Sequence, residues 1–111
     1  MKELQKQVDV WINKYGVRYF NELTNLALLT EEIGELAKIM VRVYGEQSFK
    51  NTEYSLNSKE KIAEELCDII FVCTCLANQM DIDLEAEMKK NFKKKTIRDE
   101  KRHFENKKLR E

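Results

Sequence analysis

Two stretches of sequence decide the fold: LALLTEEIGELAKIMV at residues 26–41 and IAEELCDIIFVCTCLA at residues 62–77. In both, apolar residues recur at alternating steps of three and four, which is the spacing of one face of a helix. Stripes of this kind pack helices against each other at a shallow angle. We therefore expect a core seam between two long helices, formed by Leu26, Leu29, Ile33, Leu36, Met40 and Val43 on one and by Ile62, Leu66, Ile69, Cys73, Leu76 and Met80 on the other.

The rest of the chain also has a helical character. The pattern predicts helices over about 2–14, 21–44 and 57–80, and a fourth from residue 84 into a basic region. A polar connection at 46–57 separates the middle two. With no proline and only three glycines, a loop-rich all-β fold is excluded. We predict one all-α domain over residues 1–111, a four-helix bundle-like protomer whose basic end, 99–111, projects.

Composition narrows the class of protein further. The longest nearly apolar run, residues 69–77, is too short to span a bilayer, and the start shows no hydrophobic signal segment. We expect a soluble, cytoplasmic protein with no membrane partner. The three cysteines lack a CxxC spacing, so Cys67, Cys73 and Cys75 are interpreted as reduced core residues rather than as zinc ligands.

Four carboxylates are the most informative feature. Glu32 and Glu35, and likewise Glu65 and Asp68, are spaced i, i+3 and lie about 100° round their helices from the apolar stripe. If the two helices pack along these seams, the four groups converge, and each anion pair at ~4 Å costs about 4 kcal/mol at an effective dielectric of ~20. A hard divalent cation such as Mg²⁺ relieves that repulsion through oxygen ligands. One ExxE alone would indicate ordinary surface acids, but the recurrence on both helices favours a metal site.

The segments LTEEIGELA at 29–37 and IAEELCDII at 62–70 resemble the MazG-type all-α nucleoside triphosphate pyrophosphohydrolases, whose signature is ExxE followed by ExxD. The similarity extends over roughly residues 10–103. It implies an enzyme that assembles into dimers or tetramers and holds Mg²⁺, with Mn²⁺ as a substitute, on Glu32, Glu35, Glu65 and Asp68. It also implies cleavage of an NTP or dNTP between the α and β phosphates, giving the monophosphate and pyrophosphate, in nucleotide-pool housekeeping.

The resemblance extends to the substrate contacts. Catalysis by positioning and charge neutralisation fits these four carboxylates, and the acceptor of the water proton is one of them or Glu31 or Glu64. The family pattern places phosphate or nucleotide contacts at Lys61, Asn91, Lys94, Lys95 and Arg98.

The base needs a flat apolar partner, and five aromatic residues are candidates: Trp11, Tyr15, Tyr19, Phe20 and Phe49. Trp11 lies among the apolar positions of the first helix, so we expect it in the core. Tyr19 and Phe20, at the break before the second helix, are the preferred substrate contacts.

Two other functions fit the sequence less well. A di-iron bundle needs Glu-x-x-His on two helices, and the single histidine, His103, supplies one match at most. A non-enzymatic nucleic-acid-binding or regulatory module could use a basic helix over 89–110, since residues 89–111 hold 11 Lys/Arg against 4 Asp/Glu. That hypothesis leaves the carboxylate pairs unexplained. The expected partners are therefore a nucleoside triphosphate and further copies of the chain, and nucleic acid is not expected. The preferred base and sugar, the number of metal ions and the choice between dimer and tetramer stay open.

Overall fold

The computed structural model describes residues 1–50 and 57–110, and this part of the chain contains helices and no strands. The four α-helices are α1 (Lys2–Trp11), α2 (Glu22–Val43), α3 (Ser58–Gln79) and α4 (Leu84–Asp99). The all-α prediction is confirmed. Part of the expected connection, residues 51–56, lies outside the described residues. Within them, no helix has both the length and the apolar character needed to cross a membrane.

Side-chain caps fix the start of two helices where the sequence predicts them. Asn21 Oδ1 accepts a hydrogen bond of 2.8 Å from the Leu23 amide at the start of α2. Asp83 Oδ1 accepts one of 3.2 Å from the Ala86 amide at the start of α4. Such caps satisfy amides that have no partner within the helix.

The first helix ends differently from the prediction. Its α-helical part ends at Trp11, and Ile12–Gly16 forms a π-helical turn. The Arg18 amide then donates a 2.8 Å hydrogen bond to the Gly16 carbonyl, across a Val17 whose φ is 69°. This is a γ-turn of the strained kind, which reverses the chain between α1 and α2.

The contact between α2 and α3 combines half of the predicted seam with residues of the neighbouring stripe. The half-buried seam residues are Leu29, Leu36, Val43, Ile62, Ile69 and Leu76. The buried residues Ile39 and Val72, with Glu32 and Glu65 half-buried, belong to the stripes that carry the carboxylates. The predicted seam is wrong at six positions, which are exposed: Leu26, Ile33, Met40, Leu66, Cys73 and Met80. The contact between the two helices is therefore shifted round each helix from the predicted seam, and the six exposed residues are left uncovered by the described part of the protomer.

The helix α1 packs against the second half of α3. Val8, Ile12 and Cys75 form a buried apolar cluster, against which Tyr19 and Phe71 pack. We call these five residues the core cluster.

Polar contacts join the same elements. Gln5 Nε2 donates to Asn78 Oδ1 at 3.0 Å and to the Ile82 carbonyl at 2.8 Å. The buried Asn25 donates a 2.8 Å hydrogen bond to Gln79 Oε1, which ties the start of α2 to the end of α3.

Two expectations about core residues are wrong. Cys67 and Cys73 are exposed, and only Cys75 of the three cysteines is buried. Trp11 is 48% exposed. Cys67 and Cys73 face away from the elements that pack against α3, because α1 and α2 cover only part of its surface. Trp11 contacts Phe71 of α3 at one edge, and the rest of its ring is uncovered.

The helix α4 extends away from the other helices and has no buried residue. The radius of gyration of the Cα atoms is 18.0 Å, whereas about 13 Å is typical of a compact domain of this length. The helix ends at Asp99, so the expected basic helix over 89–110 is wrong. Beyond it the chain folds back, and the Arg110 guanidinium lies 4.1 Å from the centre of the Phe104 ring.

Candidate active site

Three carboxylates meet where α2 and α3 pack. Glu32 from α2, and Glu65 and Asp68 from α3, each offer an oxygen, and these oxygens lie within 4.8 Å of one another. We call these three residues the carboxylate cluster. The i, i+3 spacing on α3 aims Glu65 and Asp68 at the same side of that helix. The position of the cluster follows from the packing, because the stripe that carries these residues forms the contact between the helices.

Repulsion and burial act together on this cluster. The hydrogen bond with Glu32, burial and the nearby negative charges, in that order, raise the pKa of Glu65 to about 7. Burial and the charges of Glu32 and Glu64 raise the pKa of Asp68. The Oε2 atom of Glu65 is buried and has no hydrogen-bond partner in the described part of the chain. The cluster therefore holds negative charge that the protein itself does not neutralise.

Glu35 borders the carboxylate cluster rather than joining it. Its side chain is exposed, and its charge still contributes to the raised pKa of Glu65. Of the four predicted ligands, the structure thus brings three together and leaves the fourth at their edge.

The donor set fits a hard divalent cation. All the converging atoms are carboxylate oxygens, which Mg²⁺ and Mn²⁺ prefer over nitrogen or sulfur ligands. The buried, unpartnered oxygen of Glu65 is a second indication, because an isolated buried acceptor is costly unless something binds it. Residues Glu32, Glu65 and Asp68 would hold the ion, with Glu35 within reach at the edge.

Comparison with known proteins assigns the family. The model of the MazG nucleotide pyrophosphohydrolase domain matches residues 20–103, a range that contains all four carboxylates. The chain belongs to the MazG family. It is accordingly an enzyme, a nucleotide pyrophosphohydrolase.

Individual relatives agree with this assignment. The uncharacterised protein YpjD of Bacillus subtilis (strain 168) is 40% identical over 102 residues, which cover 92% of this chain and 88% of that protein. The crystal structure of a Bacillus-conserved MazG protein, described as a nucleotide pyrophosphohydrolase, matches with a TM-score of 0.68 and 39% identity over 84% of this chain and 85% of its own. The crystal structure of B. subtilis YpjD matches with a TM-score of 0.72 and 38% identity, covering 85% of this chain and 90% of that one.

The predicted phosphate-binding cations of this MazG protein are exposed in the protomer. Lys61 lies one turn before Glu65, and its Nζ atom is 3.8 Å from Glu64 Oε2. On α4, the side chains of Asn91, Lys94 and Lys95 are exposed. Arg98 donates to Asp99 Oδ2 through two nitrogens, at 3.0 and 2.6 Å. Their contact with substrate stays a prediction.

The two preferred aromatic residues have different surroundings. The Tyr19 hydroxyl donates to Asp9 Oδ1 at 2.6 Å and accepts from Asn78 Nδ2 at 3.0 Å, and its ring packs against the core cluster. Burial and the hydrogen bond to Asp9 raise the pKa of Tyr19 to about 12. Tyr19 thus has a structural role that satisfies both its ring and its hydroxyl, whereas Phe20 is 59% exposed.

Sequence reasoning missed the partner of Trp11. The Trp11 ring meets the Phe71 ring edge-on at 5.6 Å between centroids. The available signal was the position of Phe71. It follows Asp68 by three residues, and this spacing predicts that the two side chains lie side by side on the same helix.

Proposed function

We propose that this MazG protein is a Mg²⁺-dependent hydrolase that cleaves an NTP or dNTP between the α and β phosphates and releases the monophosphate and pyrophosphate. The observation that carries the proposal is the carboxylate cluster, with three converging carboxylates and one buried oxygen that lacks a partner. The family supports the reaction class. Removal of unwanted nucleotides from the cellular pool is the role that fits a small enzyme of this kind.

Each group of side chains has its own role in the proposed reaction. Glu32, Glu65 and Asp68, with Glu35 beside them, hold the metal ion. When bound, Mg²⁺ neutralises phosphate charge and orients the groups that react. A carboxylate at the edge of the cluster accepts a proton from the attacking water, and Lys61 and the cations of α4 neutralise the outer phosphates. The water oxygen bonds to phosphorus, and the bridging oxygen leaves with pyrophosphate.

A product assay tests this proposal. The protein is incubated with each common NTP and dNTP, with Mg²⁺ or with EDTA, and monophosphate, pyrophosphate and orthophosphate are measured separately. We expect metal-dependent monophosphate and pyrophosphate. Glu32→Gln and Asp68→Asn should each lower kcat/KM at least about a hundredfold, because several kcal/mol of charge stabilisation is lost.

The matched control is Glu60→Gln, which removes an exposed carboxylate from the first turn of α3, outside the carboxylate cluster. Its activity should stay within about twofold of the parent protein. Diphosphate and orthophosphate as products would move the cleavage to the β–γ bond and overturn the proposed reaction. No turnover of any nucleotide by folded, Mg²⁺-loaded protein would overturn the enzyme activity proposed here.

We also propose that the active protein is a homo-oligomer, a dimer or a tetramer. Leu26, Ile33 and Met40 expose an apolar stripe along α2, at 51%, 49% and 38% of their surface. Leu66 and Met80 continue this surface on α3, at 46% and 50%. Together with the large radius of gyration, this exposed apolar area supports burial against a second copy of the same helix pair.

A further inference from the structure

The aromatic group on the flank of α3 is built from three residues. Trp11 is the only tryptophan of the chain, and its ring meets Phe71 edge-on at 5.6 Å and Tyr15 at 5.7 Å and 50°. We call these three residues the Trp11 group. Its neighbours Val8, on α1, and Ile12, at the start of the π-helical turn, are buried in the core cluster, whereas Trp11 is 48% exposed. The largest ring of the protein thus presents about half of its surface to an incoming molecule.

The Trp11 group lies close to the carboxylate cluster along α3. Phe71 follows Asp68 by three residues, which is ~4.5 Å along the helix axis and about 60° round it. Cys75, one turn further, is buried against α1. Asp68 and Phe71 are therefore neighbours on α3, which places the Trp11 group beside the Asp68 end of the carboxylate cluster.

The alternative aromatic residue, Phe20, lies farther away. Its carbonyl accepts a hydrogen bond from Gln79 Nε2, which places it at the end of α3. Gln79 is eleven residues beyond Asp68, or ~16 Å along the helix axis. Tyr19 is held by Asp9 and Asn78 and packs against the core cluster.

We infer that Trp11, supported by Phe71, is the surface on which the base of the nucleotide stacks, so that the triphosphate lies over the carboxylate cluster. This inference rests on the proposed function. Stacking on an aromatic ring tolerates any base, because every base has a π-face. Trp11 would therefore add affinity for nucleotides as a class, whereas discrimination between bases would need polar contacts to their edges.

The fluorescence of the single tryptophan tests the inference directly. The parent protein, at one fixed concentration with Mg²⁺, is titrated with α,β-methylene-dATP and α,β-methylene-dCTP, which resist cleavage at the proposed bond. We expect saturable quenching of the Trp11 emission by both analogues. Inorganic tripolyphosphate, which has the charge but no base, should leave the emission unchanged. Equal quenching by tripolyphosphate, or no change with bound analogue, would overturn the stacking role.

Kinetics supply an independent readout. Stacking contributes about 1–3 kcal/mol per base, which corresponds to a rise in KM of about 5- to 150-fold in Trp11→Ala with kcat within about threefold of the parent. Trp11→Phe keeps an aromatic ring and should recover most of the affinity, which separates stacking from a purely structural loss. Phe104→Ala is the matched control, because it removes another exposed ring, beyond α4 and outside the predicted substrate contacts, and its KM should be unchanged.

The outcomes distinguish this inference from the proposed function. Hydrolysis that is insensitive to Trp11→Ala and sensitive to Phe20→Ala would overturn the inference and leave the proposed function standing. Absence of hydrolysis with every nucleotide would overturn the proposed function. The fluorescence titration would still test the stacking role in that case, because quenching by an analogue that contains a base requires only binding and not cleavage.

Discussion

At the scale of single residues, Glu65 carries a carboxyl group in a place that disfavours its negative charge. It lies between two long helices, next to Glu32 and Asp68, and one of its oxygens is buried without a partner among the residues that the structure describes. Its pKa is raised from 4.5 to about 7. Because the folded protein binds this proton more tightly than the unfolded chain does, the associated stability is full below about pH 4.5 and is lost as the pH rises through about 7.

We therefore predict that the metal-free protein is less stable at pH 8 than at pH 5.5. Thermal unfolding in EDTA should show this difference in Tm. Glu65→Gln cannot ionise, so it should reduce the difference and raise the Tm at pH 8. Glu60→Gln, on the exposed side of the same helix, should behave as the parent protein. A parent Tm that rises between pH 5.5 and pH 8, unaltered by Glu65→Gln, would contradict the raised pKa.

A second residue under strain is Val17, the centre of the γ-turn after α1. Its φ of 69° is rare for a β-branched residue, and its side chain is 85% exposed, so no packing compensates the strain. We predict that Val17→Gly stabilises the protein by about 1 kcal/mol, the strain released less the backbone entropy that glycine adds. Urea denaturation measures this change. Val17→Ala keeps the Cβ atom and should gain less, and a gain as large as that of glycine would argue against backbone strain.

At the scale of elements, the start of α2 and the end of α3 are joined by one buried polar pair. Asn25 is 4% exposed and donates to Gln79 Oε1, whose amide group bonds to the Phe20 carbonyl. We predict that Asn25→Ala destabilises the protein by about 1–3 kcal/mol, because it leaves a polar atom of Gln79 without its partner. A double-mutant cycle with Gln79→Ala, measured by urea denaturation, should give a coupling of about 1 kcal/mol. Additive effects would show that the two side chains act independently.

The helix boundaries were predictable because they depend on local chemistry. Each boundary signal affects only the few residues next to it. The helix α2 begins after the Asn21 cap and ends shortly before Gly45, and the turn at Asp81–Asp83 separates α3 from α4. The π-helical turn at 12–16 was not predictable in this way. Its wider hydrogen-bonded rings leave no residue pattern that distinguishes them from the end of an α-helix.

The carboxylates were predictable for a related reason, and the seam was not. Periodicity showed that two adjacent stripes run along each long helix, and that one of them carries Glu32 or Glu65. It could not show which stripe contacts the other helix of the same chain, because both have apolar residues at the same spacing. Trp11 is half-exposed for a different reason, because α3 meets its ring edge-on through Phe71 and leaves the rest of the ring uncovered.

At the scale of the whole molecule, the protomer has two unlike faces on the α2–α3 pair. Ile33 and Leu66 lie about 100° round their helices from Glu32 and Glu65, on a different face from the acidic side chains. We predict that Ile33→Asp keeps the fold and shifts the protein towards the 13.2 kDa monomer, since a carboxylate placed in an apolar interface costs several kcal/mol.

Sedimentation equilibrium at micromolar concentration measures the shift, with far-UV circular dichroism to check the helices. Lys38→Asp is the control, because Lys38 is exposed on α2 away from the apolar stripe, and its mass should equal that of the parent. A parent protein that is monomeric throughout would contradict the proposed oligomer. An Ile33→Asp protein with the parent mass would show that this stripe is not the interface.

The placement of acids inside the helix pair limits how such an enzyme can be made heat-resistant. Replacing Glu32 or Glu65 with a leucine would remove the repulsion and is the most direct route to a tighter protomer, but it would also remove the chemistry. Selection or engineering for a higher working temperature has to act elsewhere, on strained turns, helix caps and contacts between copies. Sequences of this family from hot environments should therefore differ at sites such as residue 17 before they differ at the acids.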